Sequence, residues 1–225
     1  MAAPADLIPE LRQRLERVAQ PDRAPAMAAY LRGRSAFLGV AAAERKRASR
    51  PFVAAGRTAT ADQLLDAADV CWAQPEREFQ YAAIDLLRRW NAALLPDSLS
   101  HIELLIRDKS WWDTVDAIAA NVVGPLVERF PELVEAMEEW IDDSDLWIAR
   151  AAVLHQLTYG SDTDADRLFR AVDRRAGDSD FFMRKACGWA LRQYARHDPA
   201  AVLAFVTDRG DRLSGLTRRE ALKHL

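Results

Sequence analysis

The chain has 225 residues, half of them hydrophobic and 29% charged, which is ordinary for a folded domain in water. Its formal net charge is −3 and its pI is about 5.9, so the overall charge does not by itself indicate a nucleic-acid-binding protein. No apolar run approaches the roughly 20 residues that span a bilayer, and Met1 to Pro9 has neither the basic nor the apolar region of a signal peptide. We therefore predict a cytoplasmic protein that does not contact membranes.

The composition favours helix throughout, because glycine is scarce while Ala, Leu, Arg and Glu are abundant. No stretch has the sustained alternation of apolar and polar residues that indicates a strand. Pro9 lies inside the first predicted helix and can split it. The helices are predicted at 4–19, 22–34, 41–55, 61–73, 76–93, 97–107, 111–129, 131–141, 145–159, 163–175, 179–196, 199–208 and 216–224.

Several of these helices begin with residues that cap free backbone N–H groups. Ser110 followed by Asp113 fits a capping box, in which the hydroxyl and the carboxylate both accept from the backbone. The runs Asp142–Asp145 and Asp178–Asp180 put carboxylates at the positive ends of two later helices. These three places are predicted helix N-termini.

An internal repeat is the most informative pattern in the chain. The aromatic residues Phe79, Trp112, Trp147 and Phe182 begin similar segments at spacings of 33, 35 and 35 residues. Small or aliphatic residues follow four and seven positions later, as in a stripe by which helices stack on one another. We predict an all-α solenoid of antiparallel helix pairs, folded as a single domain over residues 1–225, with a concave surface for a ligand.

Cysteine and histidine do not indicate a metal site. Cys71 and Cys187 each lie in an apolar helical segment, which predicts buried, reduced thiols. The four histidines have no ligand-like spacing with each other or with cysteine, so no metal or other cofactor is predicted. They are His101, His155, His197 and His224.

Charge is unevenly distributed along the chain. Residues 132–145 contain seven acidic and no basic residues, whereas basic residues cluster around Arg45–Arg50, Arg184–Arg196 and Arg218–Lys223. Such a protein can present a basic face and an acidic back. These residues can equally be solvated helix faces, and charge alone leaves both interpretations open.

Stacking of the repeats would bring four functional side chains together. Trp112 and Asp116 are four residues apart and share one helix face, and Arg150 falls one repeat position from Asp116 on the next helix. Arg150 lies on an otherwise apolar helix and needs a carboxylate or a phosphate as its partner. Trp189 occupies a position that the other repeats fill with leucine. A solvated or capping role for Asp116 stays open on spacing alone. The remaining tryptophans are predicted to be core residues, namely Trp72, Trp90, Trp111 and Trp140.

At these residues the chain resembles the AlkD-type DNA alkylation repair glycosylases, and the resemblance runs in order from about residue 20 to the C-terminus. Its most specific part is Lys109-Ser110-Trp111-Trp112-Asp113-Thr114-Val115-Asp116. The other matching blocks are Tyr30 with Phe37-Leu38-Gly39-Val40, Pro75–Gln80, Trp147–Ala152, Lys185–Arg192 and Leu216–His224.

The resemblance implies a superhelix of HEAT-like repeats whose concave face holds duplex DNA. It also implies base excision repair by hydrolysis of the N-glycosidic bond of N3- and N7-alkylated purines, such as 3-methyladenine and 7-methylguanine. Asp116 would be the catalytic carboxylate, with Trp112 and Trp189 as its aromatic partners. Arg150 would support the site, and Tyr30 would line the same cleft.

The predicted partner is therefore double-stranded DNA that contains alkylated purines, bound by a monomer at the nucleoid. Two alternatives remain, a related protein that binds nucleic-acid structures without hydrolysis and a helical-repeat scaffold for a protein partner. The residues expected to contact DNA are Arg45, Lys46, Arg47, Lys109, Arg184, Lys185, Arg192, Thr217, Arg218 and Arg219.

Overall fold

The computed structural model describes residues 3–224, and every regular element in that range is helical apart from a single β-bridge between Ala36 and Glu76. The predicted all-α fold class is confirmed. The α-helices of this range are α1 (Ile8–Arg17), α2 (Ala24–Tyr30), α3 (Ala42–Ala48), α4 (Arg50–Ala55), α5 (Ala61–Ala73), α6 (Arg77–Arg89), α7 (Ser98–Arg107), α8 (Trp112–Ile118), α9 (Gly124–Arg129), α10 (Val134–Ile141), α11 (Leu146–Leu154), α12 (Ala165–Arg174), α13 (Phe181–Tyr194), α14 (Pro199–Arg209) and α15 (Gly215–Ala221).

Each predicted span contains helix, but several spans are divided into more than one element. Proline explains the first division, because the 3-10 turn Pro4–Leu7 precedes α1 and Pro9 occupies the first turn of that helix, where no N–H bond is lost. Ser49 separates α3 from α4. The π-helical turn Ala119–Val123 joins α8 to α9, directly before Pro125. The predicted boundaries are therefore less reliable than the predicted helices.

Two of the three predicted N-termini are capped as expected. The Asp145 side chain accepts from the Trp147 N–H at 2.8 Å, and the Asp180 side chain accepts from the Phe182 N–H at 2.6 Å. The predicted capping box at Ser110 is wrong, because α8 begins at Trp112 and the Ser110 hydroxyl donates to the carbonyl of Ile106 at 2.7 Å. A serine that follows one helix and precedes another can serve either end, and here it serves the earlier one.

The chain divides into two compact units, Met1–Thr114 and Val115–Leu225. In the N-terminal unit α5 packs on α6 and α7, and in the C-terminal unit α11 packs on α10 and α13, while α13 packs on α15. The predicted single domain over residues 1–225 stays a prediction, since two packing units of one chain can still unfold together.

The aromatic repeat marks core positions in part. Phe79 is fully buried in the N-terminal unit. In the C-terminal unit Trp147 and Phe182 are half-buried, and their ring centroids lie 5.3 Å apart. These two rings, 35 residues apart in the sequence, therefore pack against each other.

Three of the four tryptophans predicted as core residues are buried, namely Trp72, Trp111 and Trp140. Trp90 is half-buried, so its assignment to the core is wrong. It follows the end of α6, where the indole N–H reaches the Val53 carbonyl at 2.6 Å while the ring remains partly in solvent. A tryptophan at a helix end can satisfy its N–H and keep an edge exposed.

Both cysteines are buried and unpaired, as predicted. Burial raises the pKa of the Cys71 thiol and raises that of Cys187 to about 12. These thiols are therefore unreactive at neutral pH, and neither is a candidate nucleophile.

His155, which lies next to α11, makes the stability of the protein depend on pH. Its Nδ1 lies 2.6 Å from the Ala152 carbonyl and is the donor, while Nε2 is buried without a hydrogen-bond partner among the described residues. Burial lowers the pKa of His155 from 6.5 to about 4. Between pH 6.5 and about 4, His155 is protonated in the unfolded chain but neutral in the folded protein.

We expect the contribution of His155 to the free energy of unfolding to be constant above about pH 6.5. It should fall by about 3 kcal/mol as the pH falls to about 4. Urea denaturation at a series of pH values measures this loss. His155→Phe removes the titrating group and should flatten the profile, whereas His197→Gln, at an exposed histidine, should not. An unchanged slope in His155→Phe would contradict the assignment.

Candidate functional site

An aromatic cleft of about 450 Å³ lies in the N-terminal unit. Tyr30 and Trp112 both line it and contact each other edge to face, with ring centroids 5.7 Å apart and planes at 80°. Tyr30 is 73% exposed and Trp112 is half-buried, so both rings are accessible to a ligand. The aromatic cleft is lined by Asp22, Arg23, Ala26, Met27, Tyr30, Leu31, Phe37, Tyr81, Trp112 and Asp113.

One buried carboxylate holds the loop that carries Phe37 into this cleft. Glu78 accepts from the backbone N–H groups of Leu38, Gly39 and Val40 at 3.0 to 3.1 Å. Gly39 has a φ of +84°, and a Cβ there would lie 2.1 Å from the Gln20 carbonyl oxygen. Only glycine fits this turn, which explains the glycine in the Phe-Leu-Gly-Val block.

A buried ion pair anchors Asp113, the residue after Trp112. Arg77 at the start of α6 is fully buried and donates to both carboxylate oxygens of Asp113, at 2.9 and 2.7 Å. Tyr81 donates to the same carboxylate at 2.6 Å, and burial, then the Asp113 charge, raises the pKa of its hydroxyl. Asp113 is the residue after Trp112, so this contact fixes the first turn of α8. Asp113 therefore does not cap α8 as a member of the predicted capping box.

A second bidentate ion pair joins Asp116 and Arg150 in the C-terminal unit. Arg150 Nε donates to Asp116 Oδ1 at 2.7 Å, and Nη2 donates to Oδ2 at 2.8 Å. Only 5% of the Arg150 side chain and 13% of the Asp116 side chain are exposed. The predicted need of Arg150 for an anionic partner is met by Asp116, at a separation of one repeat.

The same guanidinium reaches a third helix, because its Nη1 donates to the Phe182 carbonyl at the start of α13. Both ends of the guanidinium are therefore fixed, and the geometry of the Asp116 carboxylate is fixed with it. Trp189 lies two turns further along α13 and is half-buried. Asp116, Arg150 and Trp189 thus belong to the C-terminal unit, whereas Tyr30 and Trp112 belong to the N-terminal unit.

Comparison with known proteins identifies the family of this chain. A family model described as DNA alkylation repair enzyme matches residues 11–225. The chain belongs to the DNA alkylation repair enzyme family. A role in the repair of alkylated DNA follows from this membership.

Two solved structures resemble this member of the family. A predicted DNA alkylation repair enzyme from Enterococcus faecalis is 29% identical, with a TM-score of 0.86 over 92% of this chain and 96% of that one. The protein smu.31 from Streptococcus mutans UA159 is 14% identical, with a TM-score of 0.63 over 81% and 92% of the two chains, which shows a shared fold alone. No curated protein matches significantly.

Three basic or polar residues predicted to contact DNA in this repair protein are held elsewhere. Arg45 is buried, and its guanidinium donates to Asp85 at 2.5 Å. Thr217 is buried, with its hydroxyl 3.2 Å from the Arg184 carbonyl, to which it donates. Lys109 donates through Nζ to the carbonyls of Trp72 and Gln74. The prediction that Arg45 and Thr217 contact phosphates is wrong, because both side chains are buried, and the Lys109 ammonium is bound by two carbonyls.

The other residues predicted to contact DNA differ in their exposure and in their ion-pair partners. Lys46, Arg47 and Arg219 are exposed. Glu220 pairs with both Lys185 and Arg192, at 2.8 and 2.5 Å. The Lys185 contact, followed by that of Arg192, lowers the pKa of Glu220. Arg218 pairs with the exposed Asp211 at 2.9 Å, and Arg184 donates to the Asp178 carbonyl at 2.7 Å.

The acidic run 132–145 meets arginines of α12 in the C-terminal unit. Arg174 pairs with Glu138 at 2.6 Å and also with Asp142, whose pKa it lowers. Arg167 lies 3.7 Å from the Glu138 carboxylate. The run is therefore partly neutralised within its own unit.

Sequence reasoning missed the buried network of Arg77, Asp113 and Tyr81, and it also missed the buried Glu78 carboxylate that holds the 38–40 loop. Arg77 and Glu78 lie in the Pro75–Gln80 block that resembles the family, but their spacing alone carries no sign of burial. The described residues contain neither a group of three or more candidate metal ligands nor a helix with the length and apolarity to cross a membrane.

Proposed function

We propose that this family member is a monofunctional DNA glycosylase that hydrolyses the N-glycosidic bond of cationic N3- and N7-alkylated purines in duplex DNA. The observation that carries the proposal is the Asp116–Arg150 ion pair, because it holds a carboxylate in a fixed and largely buried position. Asp116 also lies one helical turn after Trp112 in α8. A helical scaffold for a protein partner has no need of such a carboxylate.

The substrate supplies much of the driving force. Alkylation at N3 or N7 gives the purine a positive charge, so the base leaves as a neutral molecule with the electron pair of the glycosidic bond. No strong general acid is then required. Positive charge develops on the sugar in an oxocarbenium-like transition state, as in glycoside hydrolysis.

Asp116 is proposed to stabilise this cation and to orient the attacking water. Each of its oxygens accepts one hydrogen bond from Arg150, which fixes the plane of the carboxylate. Water adds to C1′ of the sugar and releases its proton to Asp116 or to solvent. The products are the free base and an abasic site, with the strand intact. This mechanism requires neither a lysine Schiff base nor a metal or other cofactor.

Trp112 and Trp189 are each proposed as an aromatic partner of the charged sugar. Tryptophan faces attract cations by about 0.5–2 kcal/mol each, which suits Trp112 and Trp189. Tyr30, whose ring centroid lies 5.7 Å from that of Trp112, is proposed to line the same cleft as Trp112. Selectivity then comes from the chemistry of the lesion more than from its shape, since a neutral purine remains a poor leaving group.

Arg150 is proposed as a positioning residue. Its guanidinium is anchored by the Phe182 carbonyl on one side and holds both Asp116 oxygens on the other. A bidentate contact fixes the plane of the carboxylate as well as its distance.

Duplex binding is proposed to use the cations that remain at the surface, above all Lys46, Arg47 and Arg219. Such contacts go mainly to phosphates, and affinity should fall steeply with salt. The acidic run 132–145 is proposed to face away from DNA. The protein would act as a monomer on chromosomal DNA at the nucleoid.

Release of 7-methylguanine from a duplex that contains it at one position tests the proposal. We expect the free base and an alkali-labile abasic site, with no release from the unmodified duplex. Retention of the modified duplex without base release would instead indicate a protein that binds DNA without hydrolysis. If the protein neither releases the base nor retains the modified duplex, the proposal that it acts on alkylated DNA is wrong.

A further inference from the structure

A second cavity, the basic groove, opens in the N-terminal unit and has a volume of about 410 Å³. One wall comes from α3, α4 and the turn after them, and the other from the end of α6. This volume lies within the range of small-molecule sites, about 300–1,000 Å³. The basic groove is lined by Lys46, Ser49, Arg50, Val53, Ala54, Arg57, Asp85, Arg89 and Trp90.

Four cations face this groove against a single carboxylate. Lys46, Arg50, Arg57 and Arg89 are exposed, and none of them forms an ion pair with a carboxylate of residues 3–224. The carboxylate is Asp85, which is already bound by Arg45 from beneath at 2.5 Å. The groove therefore carries an excess of positive charge that nothing in the described part of the protein neutralises.

Trp90 organises the inner wall of the groove. Its indole N–H donates to the Val53 carbonyl at 2.6 Å, and the Arg89 guanidinium lies 4.4 Å from the ring centroid. This cation–π contact holds Arg89 ready for a ligand at little cost in side-chain entropy. The ring approaches Gly56 so closely that a Cβ there would lie 2.4 Å from Trp90 Cδ1.

We infer that the basic groove binds a single phosphate-bearing nucleotide, either free or as an unpaired nucleotide of a DNA strand. Arg50, Arg57 and Lys46 would bind the phosphate. The base would stack on the guanidinium plane of Arg89, against the apolar wall of Val53 and Ala54.

The chemistry of the lining favours a nucleotide over inorganic phosphate. Arginine donors bind phosphate in a forked geometry, and guanidinium planes stack on bases. A phosphate ion alone would leave the apolar side chains of the groove, Val53 and Ala54, without a contact. The inference does not depend on the chemistry proposed for Asp116, which belongs to the other unit.

Titration of the whole protein with dAMP, with inorganic phosphate and with a short 5′-phosphorylated single-stranded oligonucleotide tests the inference. We expect Arg50→Ala and Arg57→Ala each to weaken nucleotide binding by about tenfold, the loss that one charge-assisted hydrogen bond predicts. Arg88→Ala is the matched control, because Arg88 is an exposed arginine of the same helix as Arg89 and does not line the groove.

Binding of dAMP that depends on Arg50 and Arg57 would identify a site for free nucleotides. The same dependence with the oligonucleotide alone would identify a site for a nucleotide within a strand. Inorganic phosphate that binds as tightly as either would overturn the inference, as would affinities that Arg50→Ala and Arg57→Ala leave unchanged. The titration is repeated with Asp116→Asn, a change that should sharply slow base release but leave the basic groove intact. Nucleotide binding that persists in this variant shows that the groove is independent of the proposed glycosylase site.

Discussion

Asp116→Asn is expected to lower the rate of 7-methylguanine release by about 10²–10³-fold, the usual effect of removing one group that stabilises transition-state charge. Asparagine has almost the same shape as aspartate, but it leaves the buried Arg150 guanidinium without its carboxylate. Urea denaturation of the variant is therefore needed to show that it is folded under the assay conditions. What is lost is the negative charge opposite the developing oxocarbenium ion. Single-turnover measurement of base release from a modified duplex isolates this step from binding and product release.

Asp66→Asn is the matched control, because Asp66 is an exposed aspartate of α5 outside the aromatic cleft and the Asp116–Arg150 pair. Its base-release rate should equal that of the natural protein. Affinity of Asp116→Asn for the modified duplex should change far less than its rate, since the charge acts mainly in the transition state. Full activity of Asp116→Asn would remove Asp116 from the mechanism.

Local signals in the sequence predicted the helices and part of their capping. Apolar periodicity and proline positions depend on neighbours within one turn, so they predicted helix in every span. Asp145 and Asp180 cap their helices because a carboxylate just before an apolar helix has few other partners. Ser110 lies between two helices, and its sequence does not say which one it serves.

The repeat predicted one long-range contact and missed another. Asp116 and Arg150 are 34 residues apart, one repeat, and were predicted to converge from the alignment of repeats. Arg77 and Asp113 are 36 residues apart and also meet, but Asp113 had a plausible local role as a helix cap. Because Asp113 could be explained as a helix cap, its contact with the distant Arg77 was not predicted.

Burial was the property that sequence predicted least well. Arg45 and Lys46 are adjacent, yet Arg45 is buried against Asp85 while Lys46 is exposed. Trp90 and Trp112 both lie near helix ends and both border cavities, but only Trp112 belonged to a recognisable family motif. The orientation of a side chain depends on helix packing, which no single segment encodes.

The buried Arg77–Asp113 pair is expected to be the most sensitive point of the N-terminal unit. Arg77→Met should lower the free energy of unfolding by about 3–5 kcal/mol, because it leaves the Asp113 carboxylate buried with only the Tyr81 hydroxyl from this network. It also removes the contacts from Arg77 to the Gln80 amide oxygen at 2.6 Å and the Thr114 hydroxyl at 2.9 Å. Urea denaturation of the purified variant measures the loss.

A second substitution distinguishes a lost charge pair from lost packing. Arg77→Met with Asp113→Asn removes the stranded charge, so the double variant should be more stable than the sum of the two single changes predicts. The exposed pair of Arg14 and Glu10, in α1, is the control, since Arg14→Met should change stability by less than about 1 kcal/mol. Strict additivity of the two buried changes would mean that the ion pair contributes nothing, and that Trp112 is held by packing alone.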